Sequence, residues 1–148
     1  MNCINIVKGT ENDFSRLLAV WESAVKATHD FLDNEDFVYY QSRMMDYLRL
    51  VDLYVYKDGD GEIIGFMGVS DTMIEMLFVD AASRGRGVGR ELLNYATGNL
   101  NIHNLDVNEQ NTQAVGFYLK MGFKISGRSP VDNEGKQYPL LHLHYVAG

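Results

Sequence analysis

The chain has 148 residues, of which 46% are hydrophobic and 22% charged, with two prolines and one cysteine. That length suits one domain around one buried core, and the composition excludes a disordered chain or a collagen-like fibre. A net charge of −7 opposes the counterion release that drives binding to DNA or RNA, so no nucleic-acid partner is expected.

In chain order, Met1–Thr10 carries no apolar stretch of the signal-peptide kind, and Asn2–Lys8 alternates as a short strand. Cys3, alone, makes no internal disulfide, which fits a reducing compartment; a cytoplasmic location is expected. Thr10 and Asp13 resemble a capping box ahead of a helix whose apolar stripe is Phe14, Leu17, Leu18, Trp21 and Val25, ending near Thr28-His29-Asp30. A second helix runs from Asn34 to about Leu48, with Phe37, Val38, Met44, Met45 and Leu48 as its buried side. Asp52–Lys57 and Glu62–Ser70 read as two strands joined at Asp58-Gly59-Asp60-Gly61. Met73–Val79 is a nearly continuous apolar strand of the kind buried on both faces, interrupted by Glu75 and far too short to cross a membrane. Beyond it the pattern becomes helix (88–100), strand (102–107) and a helix capped by Asn111 and closed by Gly122, followed by strands at 123–128 and 138–146. Hairpins followed by a strand–helix–strand unit predict an α/β (α+β) fold, a mixed twisted sheet of about 6–7 strands with helices on both faces.

One stretch stands apart. Arg84-Gly85-Arg86-Gly87-Val88-Gly89-Arg90 places three of the chain's 13 basic residues in seven positions of an otherwise acidic protein, between the apolar strand and the next helix. Its glycines let backbone approach a ligand closely, and the free amides of a helix start bind phosphate oxygens. The spacing fits neither a Walker loop nor the dinucleotide-binding fingerprint.

Arg84-x-x-Gly87-x-Gly89, following Leu77-Phe78-Val79-Asp80, resembles the pyrophosphate loop of the GNAT superfamily of acyl-CoA-dependent N-acetyltransferases. The run Asn108-Glu109-Gln110-Asn111-x-x-Ala114-x-x-Phe117-Tyr118-x-x-x-Gly122-Phe123 resembles that superfamily's second signature. The likeness extends through Thr28-His29-Asp30-Phe31-Leu32 and Gly135-Lys136-x-Tyr138-Pro139-Leu140-Leu141 to its small bacterial YjaB-like members. The resemblance implies a sheet splayed between strands 73–79 and 102–107. It implies acetyl-CoA as co-substrate, its pyrophosphate held by Arg84, Gly85, Arg86, Gly87, Val88, Gly89 and Arg90. The pantetheine arm would lie along Leu77, Phe78 and Val79, with Asn111 and Asn108 bonding to it. Tyr118 matches the tyrosine that protonates the departing thiolate; on residue type alone it is equally a core aromatic beside Phe117.

For the base that deprotonates the acceptor amine, the candidates are Glu75, whose face alternates with Leu77 and Val79, and His29 at the end of the first helix. Glu75 also fits a buried structural carboxylate, and His29 a surface helix end. Glu109 either shares that role or shapes its turn. Thr28, His29, Phe31 and Tyr138 are the expected acceptor pocket. His103, His142 and His144 lack the spacing of a metal site, so no metal is expected. The expected activity is transfer of an acetyl group to a primary amine, small or peptidyl, by direct attack in a ternary complex. A catalytically silent acyl-CoA-binding module is the alternative, and either a monomer or a homodimer is compatible.

Overall fold

The first strand, β1 (Ile6–Lys8), leads into a single 3-10 turn at Glu11–Asp13, where the Thr10 amide donates to Asp13 Oδ2 at 2.9 Å. These features come from a computed structural model, which describes residues 5–146; Cys3 and the first residues of the expected strand lie outside them. Helix α1 (Phe14–Thr28) follows, then α2 (Asn34–Arg49), whose N-cap Asp33 accepts from the Asp36 amide at 2.8 Å. The two helices meet through Trp21 stacked on Phe37, ring centroids 5.3 Å apart. Met44 and Leu48 form the buried side of α2, whereas Val38 is 51% exposed, contrary to its apolar type.

Strands β2 (Asp52–Lys57), β3 (Ile63–Val69) and β4 (Met73–Val79) form an antiparallel meander. Helix α3 (Val88–Asn94) continues as one wider π turn over Tyr95–Asn99, so the expected 88–100 helix is regular only in its first half. Strand β5 (Asn104–Asn108), helix α4 (Thr112–Lys120), β6 (Phe123–Ser129) and β7 (Leu140–Tyr145) complete a seven-stranded sheet of order β1-β2-β3-β4-β5-β7-β6. Among the described residues, only β4 and β5 run parallel. This is the mixed, unclosed sheet that hairpins followed by a strand–helix–strand unit require.

Two cores flank it. Leu17, Val20, Trp21 and Val25 of α1 with Met44 and Leu48 of α2 pack on Leu53, Val55 and Phe66. On the other face, Val88, Leu92 and Leu93 of α3 and Tyr118 of α4 pack on Met67, Leu105, Phe123 and Leu143. The close seat of α3 depends on Gly65, where a Cβ would stand 2.7 Å from Val88 Cγ1 and 3.2 Å from the Phe78 carbonyl oxygen.

The sheet parts in its middle. β4 and β5 pair only at Met73–Asn104 and Ile74–Leu105. The separation coincides with a bulge in β4. Val69 opposes Ile74 and Gly68 opposes Met76, so Glu75 is an additional residue without a partner. The bulge resets the alternation: Ile74, Leu77 and Val79 pack with the α3–α4 core, and Met76 and Phe78 with the α1–α2 core. Two expectations are thereby corrected. Glu75 does not alternate regularly with Leu77 and Val79, and β4 is not buried on both faces; Glu75 is exposed and Met76–Val79 are half-buried, because the second edge faces a gap.

Candidate active site

The gap between β4 and β5 opens into a cavity of about 980 Å³ that crosses the molecule from the arginine–glycine loop to α1, α2 and the β6–β7 segment. At the loop end, Gly85 and Gly87 both adopt φ = +82°, a left-handed conformation that a Cβ would strain. Gly87 is the N-cap of α3 and supplies no side chain, and the first helical amide to find a carbonyl is that of Glu91, 3.0 Å from the Gly87 oxygen. The amides of residues 85–90 have no backbone partner among the described residues. Arg84, which donates to the Gln113 side chain, and Arg90 line this end. Arg86 is exposed and lies outside the lining. The loop is anchored from behind: Ser23 Oγ donates to Asp80 Oδ1 at 2.6 Å and accepts from the Ala81 amide at 3.0 Å.

Along β4, Leu77, Phe78 and Val79 lie opposite Met67, Phe66 and Gly65 of β3 on one edge, and the other edge faces the cavity. That edge is a template for an extended ligand carrying amides of its own. Opposite stands α4, where Asn111 caps the helix with its side-chain oxygen, 3.3 Å from the Ala114 amide. Its amide nitrogen remains for another partner. Asn108 lines the same wall. Tyr118 lines the cavity although only 8% of it is exposed, and its hydroxyl has no hydrogen-bond partner among the described residues. Burial holds that phenol well above the ordinary tyrosine range, so it stays protonated.

Thr28, His29, Phe31 and Tyr138 meet at the far end, with His29–Phe31 and Phe31–Tyr138 centroids 5.1 and 6.0 Å apart. His29 is not a surface histidine. Burial lowers its pKa to about 4 against a smaller opposing effect of Asp30, leaving it neutral near pH 7. The Thr28 hydroxyl, 2.7 Å from His29 Nδ1, donates to the Ala24 carbonyl, so the ring must donate from Nδ1 and carries its lone pair on Nε2. Glu75 lines the cavity as an exposed carboxylate accepting from Ser70 Oγ at 2.9 Å, which removes the reading as a buried structural residue. Glu109 is held by Arg128 at 2.8 and 2.9 Å, and that pairing keeps its pKa below the usual value; it shapes its turn.

Sequence reasoning missed the strap between β6 and β7. Residues 130–139 are tied to α2 by phenol–carboxylate bonds: Tyr40 donates to Asp132, Tyr39 and Tyr47 to Glu134, and Tyr138 to Asp36. Lys136 Nζ adds an ion pair to Asp36 at 2.9 Å. Asp132 and Glu134 line the cavity beside Asp106 and Glu75, so this end is lined by carboxylates and the loop end by arginines and amides. The tyrosines at helical spacing in α2 are the only sequence signal, and they look like ordinary surface aromatics until their partners are known.

A family model for the acetyltransferase (GNAT) domain matches residues 23–139, spanning the loop, the parted strands and the strap. The chain belongs to the GNAT acetyltransferase family. This acetyltransferase is 43% identical over 142 residues to the peptidyl-lysine N-acetyltransferase YjaB of Salmonella typhimurium, covering 96% of this chain and 98% of that protein. Identity to YjaB of Escherichia coli is 42%, with 97% of each chain covered. The solution structure of apo-form YjaB from Escherichia coli superposes with a TM-score of 0.84 over 97% of both chains, at 41% identity. A PaiA N-acetyltransferase from Thermoplasma acidophilum, solved with coenzyme A, shares the fold, with a TM-score of 0.68 at 19% identity, over 95% of this chain and 98% of that one. GNAT acetyltransferases use acetyl-CoA, and the unpaired amides, free strand edge and long cavity fit such a substrate. No described helix is long and apolar enough to cross a membrane.

Proposed function

We propose that this enzyme transfers the acetyl group of acetyl-CoA to the side-chain amine of a lysine in a protein or peptide, by direct attack within a ternary complex. One observation carries the reading: a single cavity joins the free amides of residues 85–90, the unpaired edge of β4 and the unpartnered Tyr118 hydroxyl. The loop binds diphosphate through amides and through Arg84 and Arg90. The arm then extends along Val79, Phe78 and Leu77, as an added strand would, with Asn108 and Asn111 on the opposite wall. The thioester reaches the region where the strands part.

The acceptor enters from the end lined by Thr28, His29, Phe31 and Tyr138. The nearby carboxylates favour an ammonium, and the names of the relatives point to peptidyl lysine. An alkyl ammonium, with pKa about 10.4, must lose a proton before it attacks. Glu75 and the free Nε2 of His29 are the sequence-derived candidates for that step. Attack at the thioester carbonyl makes a tetrahedral oxyanion, for which a β4 amide near Phe78 is the donor. Its collapse expels a thiolate, and Tyr118, kept protonated by burial, supplies the proton.

The test measures free thiol released from acetyl-CoA across lysine peptides, free amino acids, polyamines and simple amines, with mass spectrometry of the products. Faster turnover on lysine-containing peptides, with one acetyl group on a lysine Nζ, is the expected result. Turnover confined to free small amines would refute the peptidyl acceptor.

A further inference from the structure

The wall of the cavity formed by β5 contains a carboxylate with a built support. Asp106 lies directly opposite His142 in the β5–β7 register, and its Oδ1 is 2.6 Å from His142 Nδ1. His142 Nε2 is in turn 2.7 Å from Ser129 Oγ at the end of β6. A bulge between Ile125 and Gly127 shifts β6 relative to β7 there, and Gly127 opposes His142. A Cβ at Gly127 would stand 3.3 Å from the His142 ring, so the glycine gives the imidazole its seat. Of the three, Asp106 lines the cavity. It also occupies a defined place: Met73 and Ile74 pair with Asn104 and Leu105, so Asp106 is level with Glu75 where the two strands begin to part.

Building on the acetyl-transfer reading above, we propose that Asp106 accepts the proton of the acceptor ammonium, and that His142 and Ser129 are positioning residues that hold its carboxylate for this step. A carboxylate only accepts, so the hydrogen between the ring and Asp106 belongs to Nδ1; in the neutral ring Nε2 accepts from the Ser129 hydroxyl, which fixes that tautomer. Oδ1 is thereby occupied and Oδ2 left for the substrate. In the step, one N–H bond of the ammonium breaks and an Oδ2–H bond forms, the nitrogen keeping its electron pair for attack. The proton returns to water when the product leaves.

Other titratable groups face the same space. Glu75 faces the same space from β4, Asp132 and Glu134 from the strap, and His29 from the end of α1. Asn104 precedes Asp106 on its own face and bonds to His144 at 2.7 Å. Glu75 lacks a comparable support, its one side-chain partner among the described residues being Ser70 on an adjacent turn.

The test combines pH profiles of kcat/KM for a lysine peptide with the imidazole ¹⁵N spectrum of the protein without substrate. Asp106→Asn is expected to lower kcat about 10²-fold and to remove the acidic limb of the profile, with the KM for acetyl-CoA unchanged. His142→Ala should lower kcat about tenfold, and His142→Gln, whose amide still donates, should retain activity within about threefold. The wild-type spectrum should show His142 protonated on Nδ1 when neutral, and Asp106→Asn should disturb that signal. An active wild type with Asp106→Asn within twofold of it, an acidic limb abolished by Glu75→Gln instead, or an Nε2-protonated His142 each overturns this inference while leaving acetyl transfer intact. A wild type that releases no thiol with any acceptor overturns the transfer reading and the base role with it, whatever the tautomer.

Discussion

Replacing Gly65 by alanine tests whether core packing sets the geometry of the arginine–glycine loop. The new methyl carbon would stand 2.7 Å from Val88 Cγ1 and 3.2 Å from the Phe78 carbonyl oxygen, against an optimal separation of roughly 3.5–4.0 Å. Either the start of α3 moves outward by about 1 Å, or β3 and β4 separate; the backbone oxygen has less room to give than a side-chain tip. Overpacking of this kind costs roughly 1–3 kcal/mol, and in a domain of this size each kcal/mol lowers Tm by about 2–4 °C. Because Val88 is the first residue of α3, the same displacement moves the amides of residues 85–90, and coenzyme A affinity should fall at least about fivefold. Gly68→Ala is the matched control. Its Cβ would also meet a methyl group at 2.7 Å, that of Val51, but at the acceptor end of the cavity. Thermal unfolding with and without coenzyme A, together with calorimetric titration, separates the two effects. Equal loss of coenzyme A affinity in both variants, or an unchanged Tm in Gly65→Ala, would refute the link between this packing and the loop.

Tyr118→Phe should bind acetyl-CoA as the wild type does, since its hydroxyl serves no structural partner among the described residues, yet turn over at least tenfold more slowly in a thiol-release assay. His29 is half-buried with its pKa lowered to about 4, so as pH falls below about 6.5 the unfolded chain takes up the proton first; stability should fall from there to about pH 4, and His29→Gln should flatten that part of a denaturant-midpoint curve. Tyr47→Phe and Tyr40→Phe should loosen the strap, raising KM for a lysine peptide several-fold while KM for acetyl-CoA stays within twofold, read from paired steady-state titrations.

What the sequence revealed and what it concealed divide along physical lines. The arginine–glycine loop was legible because its conformation demands glycine, with φ = +82° at Gly85 and Gly87, and because positive charge gathers there against an acidic background. The helices were legible from local periodicity. Glu75 was misplaced because alternation assumes an unbroken strand, whereas the pairing of Gly68 with Met76 inserts a bulge. Apolar composition made β4 look enclosed, although the same residues also suit a wall against a long thin ligand. The alternative of a surface helix end for His29 stayed open because helical periodicity does not show that the Phe31 and Tyr138 rings gather around it. The strap and the Asp106–His142–Ser129 row stayed hidden for a simpler reason: their partners lie 13 to 102 residues apart, and nothing in a single chain's periodicity couples them.

The two bridging pairs at Met73 and Ile74 give the sheet a weak seam, with β1–β4 on one side and β5–β7 on the other. A ligand lodged along that seam, as proposed for the pantetheine arm, would do the work of the missing hydrogen bonds and tie both halves to one body. Coenzyme A should therefore slow deuterium uptake at amides 75–79 and 106–108 more than elsewhere, and raise the melting temperature in proportion to the logarithm of its concentration. On the proposed placement of the donor, occupancy would also be a mechanical event, joining the two halves into one continuous sheet.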